Sequence, residues 1–297
     1  MENVTPIRSL LFVPGNRPDM LEKSMGLGPD VLVPDMEDSV PIGNKIEARE
    51  TIVNMLPRLY GHGHRIVVRI NSLDTGLLEM DLESALGPFT FGVNVGKVES
   101  EWDIRQIEKI LHRVENKKGL GYGSTKLIVF IESAKAVLNA QNILSCSPRI
   151  IAAAFGAEDF TVDMDVERTE SGTEIFFPRA MTAMASIAVG ITPLDVVYTN
   201  FRDGDGLQKD IDVGKSLGYK GKFAIHPSQI SRINESYTPS DSKIEYARRV
   251  LEAFNEAEAQ GRGATSLDGQ MIDVPVVKRA QKILDTYNSM VKLNHED

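Results

Sequence analysis

The chain has 297 residues, with 42 Asp and Glu against 33 Lys and Arg for a formal net charge of -9. At about 150 residues per domain that length admits one large barrel or two ordinary domains, and the acidic balance disfavours a nucleic-acid partner or an anionic membrane surface, so an anionic ligand needs a local basic pocket. One cysteine, Cys146 in a small polar loop, excludes an intramolecular disulfide and a cysteine-built metal cage, and no apolar run or leader pattern points to a membrane span or export, so a cytoplasmic protein is expected.

Residues 8–13 read as a first strand, stopped by Pro14-Gly15-Asn16-Arg17-Pro18, with a helix over 19–25. A second strand over 30–34 runs into Asp35-Met-Glu37-Asp38 and is followed by a helix over 45–59. The third, over 65–70, ends in Arg69-Ile-Asn71. A weaker fourth, over 92–95, ends in Gly96-Lys97-Val-Glu99, and the next helix carries Ile104, Ile107, Ile110 and Leu111 at helical spacing. Strands over 127–131 and 150–155 are short, branched, apolar runs of the kind buried in parallel sheets, and the helix over 133–140 between them makes a parallel crossover. A helix over 178–189, a strand over 194–198, a helix over 207–217 and a strand over 222–225 ending in His226-Pro227 complete the pattern. A long helix over 243–259, a glycine-rich stretch over 261–269 and a helix over 276–290 follow.

Eight strand-then-helix units without an evident linker are the arithmetic of a (β/α)₈ TIM barrel, here residues 1–240, with a C-terminal helical lid extension over 241–297. A doubly wound sheet uses the same alternation, but the polar candidates fall at strand carboxyl ends, where barrels keep their chemistry. Glu132 and the Glu158-Asp159 pair should therefore converge at one rim. With no Cys or His nearby they suit a hard cation, Mg²⁺ or Mn²⁺; the competing reading of each acid alone is a helix cap. Arg69 suits a bidentate pair with a substrate carboxylate. Asp35, Glu37 and Asp38 read as orienting Arg69 or metal-bound water, with Glu37 and Asp38 kept as catalytic candidates. His226-Pro227 reads first as a rigid turn and second as a binding residue.

At these residues the sequence resembles the citrate lyase β-subunit-like family of CoA thioester lyases, related to malyl-CoA and citramalyl-CoA lyases within the HpcH/HpaI aldolase group. The segments that carry the resemblance are Arg8-Ser-Leu-Leu-Phe-Val-Pro-Gly15, Asp35-Met-Glu-Asp38, Arg69-Ile-Asn71, Lys97-Val-Glu99, Ile131-Glu132, Gly156-Ala-Glu-Asp-Phe160, Gly221-Lys-Phe-Ala-Ile-His-Pro-Ser-Gln229 and Gly261-Arg-Gly-Ala with Asp268-Gly-Gln-Met-Ile-Asp273. Gly96 stands where proline is usual, and Pro178-Arg179 where Ala-Arg is usual. The resemblance implies that Glu132 and Asp159 hold Mg²⁺, Arg69 holds the oxo-acid carboxylate, and the Arg8 to Arg17 region, with Lys97 and His226, helps bind substrate and CoA. It further implies that Asp273, on the lid, reaches the site of an adjacent subunit as a proton-exchanging residue in a homotrimer or hexamer, although an N-cap is the ordinary role for an Asp at that place.

The reaction implied is retro-Claisen cleavage of a 3-hydroxyacyl-CoA, such as citramalyl-CoA or malyl-CoA, to an acyl-CoA and a 2-oxo acid, or its reverse. Alternatives are a citryl-carrier-protein lyase subunit of a citrate lyase complex, a malate-synthase-like condensing enzyme with thioesterase activity, and a non-catalytic barrel that binds small molecules. Fold alone does not choose among them.

Overall fold

The computed structural model describes residues 6–293, which fall into two compact units, Ile7–Asn234 and residues from Glu235 onward. The first begins β1 (Ser9–Pro14), α1 (Pro18–Ser24), β2 (Val31–Asp35), α2 (Lys45–Gly61), β3 (Val67–Ile70), α3 (Leu78–Ala85), β4 (Gly92–Val95), α4 (Glu101–Lys117) and β5 (Lys126–Ile131). It continues α5 (Ala134–Leu138), α6 (Ala140–Ser145), β6 (Ile150–Phe155), α7 (Ala157–Asp163), α8 (Thr173–Val189), β7 (Thr192–Asp195), α9 (Gly204–Leu217) and β8 (Gly221–Ala224), and α10 (Ile230–Tyr237) leads out across the unit boundary. The expected boundary at 240 lies just beyond that helix.

The strands pair in chain order and β8 closes on β1 through Ser9 and Lys222, so the first unit is a closed parallel (β/α)₈ TIM barrel. Side chains alternate across each strand, and the inward set fills the barrel with Leu10, Val31, Val33, Val67, Ile128, Phe130 and Phe223 among others. Phe12, Phe130 and Phe223 form an aromatic plug, with Phe223 centroids 4.9 Å from Phe12 and 5.1 Å from Phe130. Because all strands are parallel, Asp35, Arg69, Gly96, Glu132 and Gly156 emerge at one rim above that plug.

Several elements depart from the sequence reading for local reasons. β7 ends at Asp195 instead of continuing to 198, because Lys222 Nζ, at 2.5 Å, takes the Val196 carbonyl that a strand neighbour would otherwise use. α8 starts five residues ahead of Pro178: Glu174 binds the Thr169 backbone N–H at 3.0 Å and Arg168 at 2.7 Å, fixing the chain entry, and the helix tolerates the one bond the proline removes. α3 carries Leu78, Leu82 and Ala85 buried at helical spacing, a signal present in the sequence but too short to stand out. The acids after β6 sit in the first turn of a further helix, α7.

Two ionic clusters tie the helical layer to the barrel. Arg149 binds Glu115 through both terminal nitrogens at 2.6 and 2.7 Å, with the side chains 4% and 1% exposed. Arg179 and Lys222 share Asp195 and Asp210, and Arg179 forms a bidentate pair with Asp195 at 2.8 and 2.6 Å. Each charge here has its counter-charge, which is the condition for burying it.

The second unit packs α11 (Asp241–Ala259) and α12 (Val274–Leu293) around Ala247, Val250, Phe254, Ile272 and Ala280. Between them the glycine-rich stretch forms a hairpin of β9 (Thr265–Leu267) and β10 (Gln270–Ile272). Its turn, Asp268-Gly269, has φ of 52° and 78° at the two residues, the positive pair that a tight two-residue hairpin turn requires. Among the described residues no helix is long and apolar enough to cross a membrane.

The Arg149–Glu115 pair gives a stability test. Burial pushes the Glu115 carboxyl up, but bonds from Arg149 and from the Thr125 and Gly123 backbone N–H groups outweigh it and bring the group from 4.5 to about 2. The folded protein then binds fewer protons than the unfolded chain between those values, so stability rises with pH across the window and is lost as pH falls from about 4.5 toward 2. Glu115→Gln leaves buried Arg149 with only the longer contact to Glu108, 3.9 Å away, as counter-charge, which costs about 3 kcal/mol. Urea unfolding should show that loss near neutral pH, and the variant should lack the wild-type contribution to the acid-side decline.

Candidate active site

Arg69 and Asp35 are register partners across β3 and β2. The guanidinium binds the carboxylate side-on, with Nε and Nη2 each 2.7 Å from an Asp35 oxygen. Its Nη1 lies 3.1 Å from Glu37 and 3.3 Å from Asp38, and the guanidinium stacks 4.7 Å above the Phe12 ring. Burial raises the Asp35 carboxyl, yet the Arg69 charge and hydrogen bonds hold it below its ordinary value. The Arg69 edge formed by Nη1 and Nη2 faces only Glu37 and the exposed Asp38, so a substrate carboxylate that displaces Asp38 meets a planar fork already aimed.

The loop after β2 is held from beneath. Buried Lys45 donates to the Met36 and Glu37 carbonyls at 2.7 and 2.8 Å. Asn71 donates to the Met36 carbonyl at 3.0 Å and to Asp81 at 2.6 Å, so its side chain fixes the loop and is not presented to a ligand. Lys45 was not singled out from sequence; a lysine at the first position of an amphipathic helix reads as a solvated charge, and only the fold turns it inward.

Glu132 leaves the end of β5 between two glycines. A Cβ on Gly96 would stand 2.5 Å from one carboxylate oxygen, and a Cβ on Gly156 2.5 Å from the other. Lys97, at φ 54°, adopts the left-handed conformation that costs a non-glycine residue about 1–2 kcal/mol, and in doing so points its backbone N–H at Glu132 at 2.6 Å. Its ammonium lies 3.5 Å from Glu37. Burial, then the charge of Asp159, push the Glu132 carboxyl up to about 8. Asp159, half-buried in the first turn of α7, is also raised, by burial and then by Asp38. Burial lifts Glu37 to about 7, with Arg69 and Lys97 opposing and Asp38 and Asp35 assisting.

Such a pair is short of positive charge, and its donors are hard oxygens with no ring nitrogen or sulfur beside them. That is the donor chemistry of Mg²⁺, which binds through one or two carboxylates with water and substrate oxygens. Among the described residues no group of three or more His, Cys, Asp and Glu side chains is arranged to hold a metal; a cation at this place would have Glu132 and Asp159 as its protein donors. Glu158 turns outward to Arg168 at 3.7 Å and does not join them.

The remaining candidates lie elsewhere. Arg8 precedes β1, at the opposite end of the barrel, with Nε and Nη2 bonded to Asp30 at 2.9 and 2.6 Å; the structure does not bring it to the rim. Arg17 follows β1 on the rim side and pairs with exposed Asp19 at 2.9 Å. His226 stacks on Phe201 at 4.6 Å, and its Nδ1 accepts the Ser228 N–H at 3.2 Å, the rigid-turn arrangement. Asp273 lies in the second unit and accepts the Val276 N–H at 3.2 Å as the N-cap of α12. A cavity of about 680 Å³ opens beside Lys97, Glu132 and Asp159 and is walled partly by Trp102, a residue not singled out from sequence.

The sequence profile of the HpcH/HpaI aldolase/citrate lyase family matches residues 8–227. The chain belongs to that family. Citrate lyase subunit beta of Leuconostoc mesenteroides subsp. cremoris is 35% identical to it, covering 97% of this chain and 96% of that protein. Mitochondrial citramalyl-CoA lyase of Homo sapiens is 33% identical, covering 96% of this chain and 86% of that one. A crystal structure of CitE from Mycobacterium tuberculosis in complex with magnesium, acetoacetate and coenzyme A superposes with a TM-score of 0.77 at 28% identity, over 95% of this chain and 98% of that one. The chain is accordingly a carbon–carbon lyase of the HpcH/HpaI group.

The glycine cradle makes a direct prediction. Gly156→Ala places a methyl 2.5 Å from a Glu132 oxygen and 2.6 Å from its Cβ, so the carboxylate must move. Lyase turnover should fall at least tenfold while circular dichroism stays native. Gly43→Ala, with nothing within 4 Å, should leave turnover unchanged.

Proposed function

We propose that this enzyme cleaves, or forms, a 3-hydroxyacyl-CoA by a Mg²⁺-dependent retro-Claisen reaction that yields an acyl-CoA and a 2-oxo acid. The observation that carries the reading is the convergence of Glu132, Asp159, Arg69 and Glu37 on one rim of a barrel whose full-length relatives include a citramalyl-CoA lyase and citrate lyase β subunits. CitE bound with magnesium and coenzyme A supports the same ligands here.

On this reading Glu132 and Asp159 hold the Mg²⁺. A bound Mg²⁺ supplies Lewis acidity toward the substrate hydroxyl and offsets charge on the departing oxo acid. Arg69, fixed side-on by Asp35, presents its free edge to the substrate carboxylate. Glu37, lifted to about 7, is matched to accept the hydroxyl proton near neutral pH, with Asp38 beside it. The carbon–carbon bond then breaks, its electron pair passing to the thioester enolate as the hydroxyl-bearing carbon becomes the oxo group. Asp273 of the partner subunit returns a proton to the enolate carbon. This step requires a homo-oligomer, a trimer or hexamer, with shared sites. Rim residues Lys97, Arg17 and His226 lie where they can assist substrate or CoA binding; Arg8, closed on Asp30, is better suited to holding β1 to the start of β2.

The 35% identity to citrate lyase subunit beta sustains a second reading, a subunit that acts on a carrier-bound citryl thioester. Incubation with citramalyl-, malyl- and citryl-CoA and with a citryl-carrier thioester, products read by mass spectrometry, separates the two. Exhaustive chelation should abolish turnover and Mg²⁺ or Mn²⁺ restore it; turnover that survives chelation removes the metal from the mechanism. Arg69→Lys retains charge but not the fork and should lower kcat/KM about 100-fold, the loss of roughly 2–3 kcal/mol of charge-assisted hydrogen bonding. For the shared site the test is complementation: Asp273→Asn and Glu132→Gln oligomers should each be inactive, while verified mixed oligomers regain activity. No recovery would take Asp273 out of the neighbouring site.

A further inference from the structure

The cavity beside the carboxylate pair extends outward between the loops that follow β3, β4, β5 and β6. Four more acids stand on its wall: Asp74, Glu99, Asp103 and Asp163. Each is fixed by a bond to its surroundings. Asp74 accepts Ser72 Oγ at 2.5 Å, Glu99 accepts Ser133 Oγ at 3.0 Å and Lys135 Nζ at 3.1 Å, Asp103 caps α4, and Asp163 accepts the Ala134 N–H at 2.7 Å. These bonds set where the carboxylates sit. Between them the wall is apolar, formed by Leu73, Trp102 and Val162, the last two 62% and 81% exposed. The one cationic side chain on the wall is Lys97, already 3.5 Å from Glu37.

We infer that the site selects a 2-oxo acid with a single carboxylate and a small uncharged substituent, the pyruvate class, over a dicarboxylic oxo acid of the oxaloacetate class, and hence citramalyl over citryl thioesters. This selectivity rests on the lyase reading and deepens it. Both acids share one carboxylate and one oxo group, which Arg69 and the cation held by Glu132 and Asp159 would engage alike. They differ in what remains: a methyl group or a carboxymethyl group.

A second carboxylate finds no uncommitted cation. Arg69 spends one edge on Asp35 and the other on the shared carboxylate, and Lys97 answers to Glu37. Apart from Lys97 and the Ser133 hydroxyl, the cavity wall offers a second carboxylate only acids and apolar side chains. Two like charges about 6 Å apart at an effective dielectric near 20 weaken binding about 100-fold, and water and the nearby Lys97 screen this to about tenfold. A methyl group pays none of that penalty and can rest against Leu73, Trp102 or Val162.

Trp102 is the only tryptophan in the chain and lies on the cavity wall, so intrinsic fluorescence reports occupancy without any turnover. The full-length protein with Mg²⁺ should be titrated with pyruvate and with freshly prepared oxaloacetate, corrected for absorbance. Pyruvate should bind at least tenfold more tightly, and kcat/KM for citramalyl-CoA should exceed that for citryl-CoA by at least tenfold. In Asp74→Asn/Asp163→Asn, which keeps the oxygen acceptors but removes two charges, oxaloacetate should gain severalfold while pyruvate stays within about twofold; Asp74→Asn alone serves if the double variant does not fold. Equal or tighter binding of oxaloacetate by the wild type, or an unchanged gap in the variant, overturns the selectivity while thioester cleavage stands. If neither acid perturbs Trp102 and no CoA or carrier thioester is cleaved, the lyase reading itself falls, and the selectivity with it.

Discussion

A carboxylate buried without a cation is the constraint around which this rim is arranged. Glu132 and Asp35 both end barrel strands and both are buried, yet their surroundings drive them in opposite directions. Asp35 receives two nitrogens of Arg69 and two backbone N–H groups, and its carboxyl is held low. Glu132 receives one backbone N–H, from a residue in a strained conformation, and faces a second acid; it is pushed to about 8. A buried carboxyl raised this far is neutral near pH 7 and becomes charged only where something else supplies the missing positive charge. The glycines on either side keep the space around it open.

The same accounting separates stability from chemistry across the barrel. Glu115 with Arg149, and Asp195 and Asp210 with Arg179 and Lys222, are buried acids whose counter-charges come from the protein itself. They lie between strands and helices and hold the layers together. At the rim, Arg69 and Lys97 face Asp35, Glu37, Asp38, Glu132 and Asp159, so acid exceeds base where strand ends converge. Near neutral pH the raised carboxyls of Glu37 and Glu132 can hold protons that relieve this excess, and a divalent cation would take the protons' place.

The barrel was legible because its signals are short-range and repeated: each apolar run of β5 or β6 type is bounded by polar residues, and the helices that follow carry 3.6-residue periodicity. The rim acids were legible for the same reason, since parallel strands force their carboxyl ends together. What escaped was decided by contacts distant in sequence. β7 stops early because a lysine from β8 takes its carbonyl, and nothing in residues 194–198 records that competition. Lys45 turns inward because two loop carbonyls await it. Glu132 and Asp159 stand together while Glu158, adjacent in sequence, faces Arg168; a strand ending at Asp159 could not distinguish them, whereas the first turn of α7 directs neighbouring side chains about 100° apart. The glycine-rich stretch read as loop closes into a hairpin because Asp268 and Gly269 both accept positive φ and Arg249 holds Asp268 at 2.7 Å.

Asp273 shows how an ordinary structural role leaves a proposed chemical one open. Its carboxylate caps α12 through the Val276 N–H, and the hairpin turn fixes the residues just before it. A cap needs one acceptor oxygen, so the bond sets the orientation of the carboxylate without consuming it. The unit that carries it has a core of its own around Phe254 and Ile272. On the proposed mechanism Glu37, lifted to about 7 by burial, takes the first proton, and Asp273 of a partner subunit supplies the second.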